Sequence, residues 1–418
     1  MAERWQNEPW TKDMWWSGKT TRRQFLGLSA TAAGALGATI LVPAPWREAF
    51  GQAKPYKIGV LQPLTGAAAA GGKTALVGTQ LAADRINKSG GINGRPVELV
   101  IADYESKPDV GRRKAEKLVV EDKVDVGEGG YLSNVCLACM PVFEEQQTVA
   151  PSQAVAFAPH LVKKLAKKWH IVYLDYAWGQ STRDAYAEQI KKQGGEIVGT
   201  TGIPLGTADM TAFISKITGT FDGVFAIMFG ANAVTFTTQA FDLGLFKNRK
   251  YAGDGAVAES THLTALGQKV EGFTGVNRYI PVFTKPLDTP YHKKFFDESK
   301  VLLKQMDPSG PDPDRYVQSN FEAMNFLKLG IQRSGFKGRA AGDTEFKKES
   351  LKLIEALEGM EVKEGDDFPQ GDKLLRREDH QAFLRQFIFD IHNNKHRLLE
   401  VIARDKTVVP PACTFPKA

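Results

Sequence analysis

The sequence predicts an α/β fold with two doubly wound lobes, each built on a parallel sheet. Two observations support this expectation. Short β-rich segments alternate with helical segments from residue 57 to about residue 275, which is typical of parallel strands joined by helical crossovers. The alternation falls into two runs, 54–150 and 153–275, and each run is long enough to form a core of its own.

The first run begins with a strand predicted at 57–61, followed by a loop rich in Pro, Gly and Ala. A helix is predicted over 74–87 because its small and apolar residues recur on one face, which would let it lie close to a sheet. The remaining elements of this run are strand 97–102, helix 109–121, strand 124–126, helix 133–146 and strand 148–150.

The second run repeats the pattern, with strands predicted at 170–174, 196–201, 223–228 and 250–252 and helices at 181–193, 210–217 and 233–243. The last third of the chain is more helical. Asp314 is positioned to cap a helix. The segments 383–390 and 397–402 predict a hairpin that turns at Asn393 and Asn394.

Composition excludes several classes of protein. Of the 418 residues, 42% are hydrophobic and 24% are charged, which is ordinary for a globular chain and excludes a wholly disordered or multi-span membrane protein. The 54 basic and 48 acidic residues leave a net charge of +6 without a long run of one sign, so no nucleic-acid partner is expected. Three cysteines are too few for a disulfide scaffold.

The first 53 residues have the pattern of an export signal. Residues 21–26, Thr-Arg-Arg-Gln-Phe-Leu, resemble the twin-arginine motif, although Gly27 stands where that motif often has Lys. An apolar stretch over 25–42 and a small-x-small site ending at Ala53 follow. A cleaved signal peptide over 1–53 is therefore expected, with the twin-arginine translocase as export partner and the periplasm as destination. The alternative, a membrane anchor, is disfavoured because the stretch is short and rich in Ala and Gly.

Three segments resemble the leucine/isoleucine/valine-binding family of periplasmic receptors for ABC importers. They are 57–66 at the first strand and loop, 83–95 at the end of the first helix, and 175–180 at the start of the second lobe. The resemblance implies two lobes, joined by a hinge of several strands, that close on a small polar solute such as an amino acid or amide. It further implies that the closed form docks on a membrane permease, with no cofactor and no covalent chemistry.

On this resemblance, lobe 1 is expected to comprise 54–152 and 284–378, and lobe 2 to comprise 153–283 and 379–407, with a tail over 408–418. The sequence departs from the family at the first crossover. Residues 148–152 run directly into 153–168, so a hinge strand and part of a ligand loop are missing. We expect this short connection to stiffen the hinge or to impair folding or binding.

Two serines are candidate ligand residues by this resemblance. Ser133 occupies the position where the family uses a serine at a helix N-terminus, and a hydroxyl beside free N–H groups suits a carboxylate or an amide oxygen. The alternative is an ordinary helix cap. Ser152 is the remnant of the shortened loop.

Three aromatic residues are further candidates, because aromatic faces at the carboxyl ends of strands suit apolar or cationic groups of a ligand. Trp178 and Phe229 match aromatic positions of the family, and Tyr176 lies beside Trp178. Packing in the core is the alternative for each of them.

Asp254 lies one position from the carboxylate that binds the ligand's ammonium group in the family, and a solvated turn residue is the alternative. An aromatic residue of the first loop in amino-acid-binding members aligns here with Gly71. This change is expected to enlarge the pocket and weakens the case for a branched-chain amino acid.

Two other functions compete with a transport receptor. Residues 67–74 nearly satisfy a phosphate-binding loop, although the first motif position is Ala, and a P-loop NTPase would bring Lys73 and Asp103 to one anion site. A periplasmic ligand sensor without a transporter would have the same sequence features as the receptor.

The cysteines give a weak signal. Cys136 and Cys139 form a CxxC, but they lie inside a predicted helix and no histidine cluster accompanies them, so no metal is expected. Cys413 in the tail either pairs with one of them or, as the missing segment implies, stays unpaired.

Overall fold

The computed structural model describes residues 53–139, 142 and 150–411, and the backbone of 38–40. The twin-arginine motif, most of the predicted signal peptide and Cys413 lie outside the described residues. In the part of the chain that is described, no helix is both long and apolar enough to cross a membrane.

Lobe 1 is built on a four-stranded sheet in the order β1-β3-β2-β4. Strand β2 pairs in parallel with β3 and β4, whereas β1 is antiparallel to β3. The strands are β1 (Ala38–Ile40), β2 (Tyr56–Gln62), β3 (Val97–Asp103) and β4 (Val126–Gly129), and the helices of this part of the chain are α1 (Ala69–Lys88), α2 (Pro108–Val120) and α3 (Ser133–Cys139).

Lobe 2 is built on a seven-stranded sheet in the order β14-β13-β9-β8-β7-β5-β6. Strands β5 to β9 are parallel: β5 (Lys168–Leu174), β6 (Glu196–Ile203), β7 (Gly223–Ile227), β8 (Lys250–Asp254) and β9 (Thr274–Asn277). The helices are α4 (Ala150–His160), α5 (Ala177–Lys192), α6 (Thr211–Ile214), α7 (Gly230–Asp242) and α8 (Ser260–Leu266). Lobe 2 therefore repeats the alternation that the sequence predicts.

Three helices that follow lobe 2 in sequence return to lobe 1: α9 (Pro290–Met306), α10 (Arg315–Ser334) and α11 (Asp343–Leu357). Helix α10 lies along α1, and the approach is close because a Cβ on Gly78 would stand 2.1 Å from the carbonyl oxygen of Val317. Asp314 caps α10 as predicted, since its Oδ1 accepts hydrogen bonds from the backbone N–H groups of Tyr316 (2.8 Å) and Val317 (3.0 Å).

The C-terminal strands complete both lobes. A small antiparallel sheet contains β10 (Glu361–Val362), β11 (Lys373–Leu375) and β12 (Ala382–Leu384), and β13 (Gln386–His392) and β14 (Lys395–Ile402) form a hairpin at the edge of the lobe 2 sheet. The predicted hairpin is confirmed, with Asn393 and Asn394 at positive φ as a two-residue turn requires. The lobe boundary expected at 378/379 falls between β11 and β12, which pair with each other.

The strand predicted at 148–150, in the first crossover, is wrong at its last residue. Ala150, predicted as part of a strand, begins α4 instead, while 148 and 149 lie outside the described residues. The segment from Ala150 onward is helical because its buried residues have helical spacing. Ala154, Phe157, Ala158 and Leu161 are all buried on one face. The predicted helix 133–146 is described as far as Cys139, and the third strand lies at Val126–Gly129 rather than 124–126.

The lobes have separate cores and also share one. Lobe 1 buries Phe295 and Phe321 against α1, and lobe 2 buries Trp169 and Phe225 between its sheet and helices. A further hydrophobic cluster contains side chains from both lobes, including Leu132 and Phe229. The lobes are therefore in contact with each other in this structure.

A half-buried carboxyl group in lobe 1 gives a pH-dependent prediction. Burial raises the pKa of Glu128, on β4, to about 8, while a hydrogen bond from Thr79 Oγ1 (3.0 Å) opposes the shift. A carboxyl group with a raised native pKa favours folding at low pH, and this contribution is lost between about pH 4.3, the ordinary value, and about pH 8.

Glu128→Gln should therefore raise the melting temperature relative to wild type by an amount that grows from pH 5 to pH 8, reaching at least about 2 °C. Differential scanning fluorimetry across this range measures the difference, with Glu116→Gln on the exposed face of α2 as control. A difference that is constant with pH would contradict the raised pKa.

Candidate functional site

The two parallel sheets each contain a topological switch point. In lobe 1, β2 lies between β3 and β4, and in lobe 2, β5 lies between β6 and β7. Ligands of open α/β sheets bind in the crevice outside the carboxyl ends of such strands. The residues that follow these strands are Tyr131 after β4, Tyr176 and Trp178 after β5, and Phe229 after β7.

These side chains meet between the lobes. The ring centroids of Tyr131 and Phe229 are 5.8 Å apart, and Tyr131 also lies 4.6 Å from Tyr316 at the start of α10. Phe229 in turn lies 5.7 Å from Trp178 and 6.1 Å from Tyr176. We call these five residues the aromatic cluster. It joins lobe 1 to lobe 2 and brings together all three aromatic residues that the sequence predicts.

Local backbone structure fixes the lobe 2 rings. Tyr176 and Phe229 are the last extended residues before α5 and α7, and each accepts a hydrogen bond on its carbonyl oxygen, from the N–H groups of Gln180 and Ala233. Trp178 lies in the first turn of α5. Phe229 is buried, whereas Tyr176 and Trp178 are half-buried. Core packing therefore describes Phe229 better than it describes the other two.

Tyr131 fills the space that the sequence predicts to be empty. Gly71 was expected to enlarge the pocket, but a Cβ at this position would lie 2.3 Å from the Tyr131 hydroxyl oxygen. The expectation of a larger pocket is therefore wrong at this point, because an aromatic ring from another loop takes the place of the missing side chain. Sequence reasoning missed Tyr131, although it directly follows a strand and a glycine pair.

Ser133 begins α3, two residues after Tyr131, and is half-buried. The loop before it is held by Tyr104, whose buried hydroxyl accepts a hydrogen bond from the N–H of Leu132 (3.0 Å). Helix α3 contacts α5 of lobe 2. Ser133 and Trp178 therefore lie on helices that face each other across the lobe boundary.

Ser152 lies in the first turn of α4 and is buried. Its Oγ has no hydrogen-bond partner among the described residues, and neither has Nε2 of the adjacent Gln153. Since α4 leads through a short connection into β5, its N-terminal end lies at the carboxyl edge of the lobe 2 sheet. This is the edge that carries Tyr176 and Phe229.

Asp254 ends β8 and is only 1% exposed, so the alternative of a solvated turn residue is wrong. Its Oδ1 accepts hydrogen bonds from the N–H of Ala256 and from Nη2 of Arg315, both at 2.8 Å. Arg315 is the first residue of α10 and its side chain is 5% exposed. A buried ion pair therefore connects lobe 1 to lobe 2.

Glu259 lies on the other side of this arginine. Its Oε1 is 3.0 Å from Arg315 Nε, without the alignment of a hydrogen bond, and accepts a hydrogen bond from Asn277 Nδ2 (3.1 Å). Burial raises the pKa of Glu259 to about 8, although Arg315 opposes the shift. Asp254 therefore makes the aligned hydrogen bond to Arg315, while Glu259 lies against the other side of the guanidinium.

A second guanidinium lies close by. Arg278, directly after β9, donates from Nη2 to Ser319 Oγ (3.0 Å), and its Cζ is 5.9 Å from the ring centroid of Tyr316. The Cζ of Arg315 is 5.2 Å from the same ring. The buried Nε of Arg278 has no acceptor among the described residues. Nothing in the local sequence signals either arginine, because their partners lie some 40 to 60 residues away in the chain.

The geometry does not favour nucleotide binding. Residues 69–72 form the first turn of α1 instead of a loop around an anion. The carboxylate of Asp103 accepts hydrogen bonds from Leu64 N (2.9 Å) and Thr65 Oγ1 (2.7 Å), whereas Lys73 is exposed. The two residues predicted to converge in an NTPase therefore serve different parts of lobe 1.

The CxxC pair lies within α3, with Cys139 buried and Cys136 half-buried. Over 53–139 and 150–411, no group of three or more His, Cys, Asp and Glu side chains is arranged to hold a metal ion.

A model of the family described as periplasmic binding protein matches residues 55–152 and 148–395 of the chain. The chain belongs to the periplasmic binding protein family. The two matched ranges overlap at 148–152, the position of the short connection between the lobes. Members of this family are substrate-binding proteins rather than enzymes, and their location is the periplasm.

Curated relatives of this periplasmic binding protein have names that refer to amino acid binding. An amino acid binding protein of Pseudomonas aeruginosa is 27% identical over 343 residues, covering 74% of this chain and 85% of the relative. Leu/Ile/Val-binding protein homolog 6 of Brucella melitensis is 25% identical over 335 residues, covering 73% and 80%. The predicted family is therefore confirmed.

Solved structures share the fold. The solute-binding protein of an ABC transporter from Rhodopseudomonas palustris, in complex with 3,4-dihydroxybenzoic acid, superposes with a TM-score of 0.71 at 21% identity, covering 84% of this chain and 98% of that chain. The substrate-binding protein LivJ of a branched-chain amino acid transporter from Streptococcus pneumoniae, in complex with isoleucine, superposes with a TM-score of 0.69 at 19% identity, covering 84% of this chain and 100% of that chain. The predicted type I periplasmic binding fold is confirmed.

Because the Tyr131 ring lies over Gly71, we predict that the effect of Gly71→Ala on stability is opposite in sign to the usual effect of Gly→Ala in a helix. Gly→Ala in a helix normally stabilises by about 1 kcal/mol, but a methyl group at residue 71 would force the Tyr131 ring away from Tyr316 and Phe229. Gly71→Ala should therefore destabilise by about 1–3 kcal/mol, measured by urea unfolding. Gly365→Ala, where a Cβ meets no atom within 4 Å, is the control. Stabilisation by Gly71→Ala would show that Tyr131 does not occupy this space.

Proposed function

We propose that the protein is the solute-binding component of an ABC importer, which captures a small organic solute between its lobes in the periplasm and delivers it to a membrane permease. The observation that carries this proposal is the aromatic cluster, which is built from both lobes at the carboxyl ends of both parallel sheets. A solute in contact with these rings touches both lobes at once, so its binding free energy favours the closed form.

The physical basis of capture is burial. Closure removes the faces of Tyr131, Trp178 and Phe229 and the apolar surface of the solute from water, which supplies the main favourable term. Hydroxyl and N–H groups at the start of α3, with Ser133, then hydrogen-bond a polar group of the solute. The buried, unpartnered Oγ of Ser152 supplies a further hydrogen-bonding group at the lobe 2 edge.

The partners follow from this role. The chain is proposed to cross the inner membrane by the twin-arginine route, directed by residues 21–26, and to lose its signal peptide near Ala53. The permease would recognise the closed arrangement of the lobes, because only closure brings the outer faces of both lobes into one fixed geometry.

The relatives suggest where to look for the solute. Names and complexes of the related proteins include amino acids and hydroxylated benzoic acids. A thermal-shift panel of amino acids, amides, urea and aromatic acids on the exported protein tests the receptor function directly. A compound that raises the melting temperature in a saturable manner supports it, and the absence of any response across the panel would count against it.

Trp178→Ala should weaken binding of the panel compound with the largest thermal shift by at least about tenfold, because a large aromatic contact is lost. Ser133→Ala should weaken it by roughly two- to tenfold, the worth of one hydrogen bond. Isothermal titration calorimetry measures both, with circular dichroism to verify folding. Phe241→Ala, an exposed ring on the far side of α7, is the control. Unchanged affinity in both variants would place the binding site elsewhere.

A further inference from the structure

The charged groups beside the aromatic cluster bear on the kind of solute that the cleft accepts. A zwitterionic amino acid needs a carboxylate acceptor for its ammonium group. Asp254 and Glu259 are the acids at the carboxyl edge of β8, and Arg315 lies against both of them, at 2.8 Å and 3.0 Å. The guanidinium therefore occupies the side of these acids that an ammonium group would need.

The other acids around the cleft are also engaged. Asp314 accepts two backbone hydrogen bonds as the cap of α10, and Asp175, before Tyr176, accepts a hydrogen bond from Gln180 Nε2 (2.9 Å). Asp254, Glu259 and Asp314 are buried, so a cationic solute could reach them only by displacing the groups that they already bind, whereas Asp175 is exposed and its attraction for a cation is screened by water. The cleft therefore offers a cation no prepared partner among these groups.

For an anionic solute, in contrast, the described part of the chain places a hydrogen-bond donor without an acceptor beside the cleft. Nε of Arg278 is buried without an acceptor among the described residues, although a buried N–H donor without a partner is costly. The Nε of Arg315 faces Glu259 without an aligned hydrogen bond. The guanidinium of Arg278 therefore has a hydrogen bond to donate to a carboxylate, which is the group that arginine recognises best, whereas Arg315 is already occupied by Asp254 and Glu259.

Aromatic surface continues from these donors into the cleft. The Tyr316 ring lies within 6 Å of both guanidinium groups and 4.6 Å from Tyr131, which leads to Phe229 and Trp178. A molecule with a ring at one end and a carboxylate at the other matches this order of groups.

We propose that Arg315 acts as a built-in cation that excludes ammonium-bearing solutes, and that the cleft binds an aromatic monocarboxylate whose carboxylate is received by Arg278. This inference rests on the proposed receptor function and specifies its solute class. Arg278 and Arg315 are then specificity-determining residues, and the aromatic cluster receives the ring.

The test compares probes that differ in charge. Isothermal titration calorimetry on the exported protein uses 4-hydroxybenzoate, 4-hydroxybenzamide, 4-hydroxybenzylamine and L-leucine. The expected result is that 4-hydroxybenzoate binds at least about tenfold more tightly than each of the other three, since only it offers a charged acceptor without an ammonium group.

Two variants test the assigned residues. Arg278→Met should weaken 4-hydroxybenzoate by at least about tenfold. Arg315→Met should increase the affinity for 4-hydroxybenzylamine, because Asp254 is released. Lys373→Met is the matched control. It breaks another buried ion pair, with Glu322 at 2.9 Å, but should leave the affinity for 4-hydroxybenzoate unchanged.

If Arg315→Met fails to fold, the probe series on the wild type and Arg278→Met still decide the question. L-leucine or the amine binding as tightly as 4-hydroxybenzoate would overturn the inference and leave the receptor function intact. Failure of all four probes would also overturn it, and the broader solute panel would then show whether the receptor function falls as well.

Discussion

The contact between Arg315 and Asp254 is the interaction on which the arrangement of the lobes depends. Both side chains are almost wholly removed from water, and they belong to different lobes. Removing one partner of a buried pair leaves an uncompensated charge, whose cost exceeds the gain from making the pair. Opening the lobes costs less free energy than removing one partner by mutation, because water can reach both charges when the lobes are apart. The pair therefore holds the start of α10 in lobe 1 against the end of β8 in lobe 2, with a net free energy smaller than the cost of removing either partner.

The topology explains why the functional groups converge. In lobe 1, β4 lies on the opposite side of β2 from β3, and in lobe 2, β7 lies on the opposite side of β5 from β6. The loops that follow β2 and β4 therefore flank one crevice, and the loops that follow β5 and β7 flank another. The two crevices face each other, and the segments at the starts of α3, α5 and α7 place Tyr131 and Ser133 opposite Trp178 and Phe229. Residues that are about 100 positions apart in sequence become one aromatic surface for this reason.

Much of the fold could be predicted from the sequence, because the alternation of strands and helices is a local signal. The strand and helix predictions in lobe 2 agree with the structure to within a few residues, and so does the cap at Asp314. The crossover is the exception. Ala150 is predicted as the last residue of a strand but begins α4, whose residues from Ala154 onward are buried on one face.

The site was predictable only in part. Trp178, Tyr176 and Phe229 follow strand ends, and that position is visible in sequence. The role of Asp254 as partner of Arg315 is not visible, because it depends on the return of α10 to the lobe boundary, 61 residues later. Tyr131 was missed for a similar reason, since only packing places its ring over Gly71.

The central claim is that the carboxyl ends of the two sheets form a single solute site. A crystal structure of the exported protein, grown with the compound that gives the largest thermal shift, tests this claim most directly. The account predicts electron density for the compound in contact with Tyr131 of lobe 1 and with Trp178 and Phe229 of lobe 2. Density confined to another part of the molecule, such as the surface groove beside Arg333 and Phe368, would contradict it.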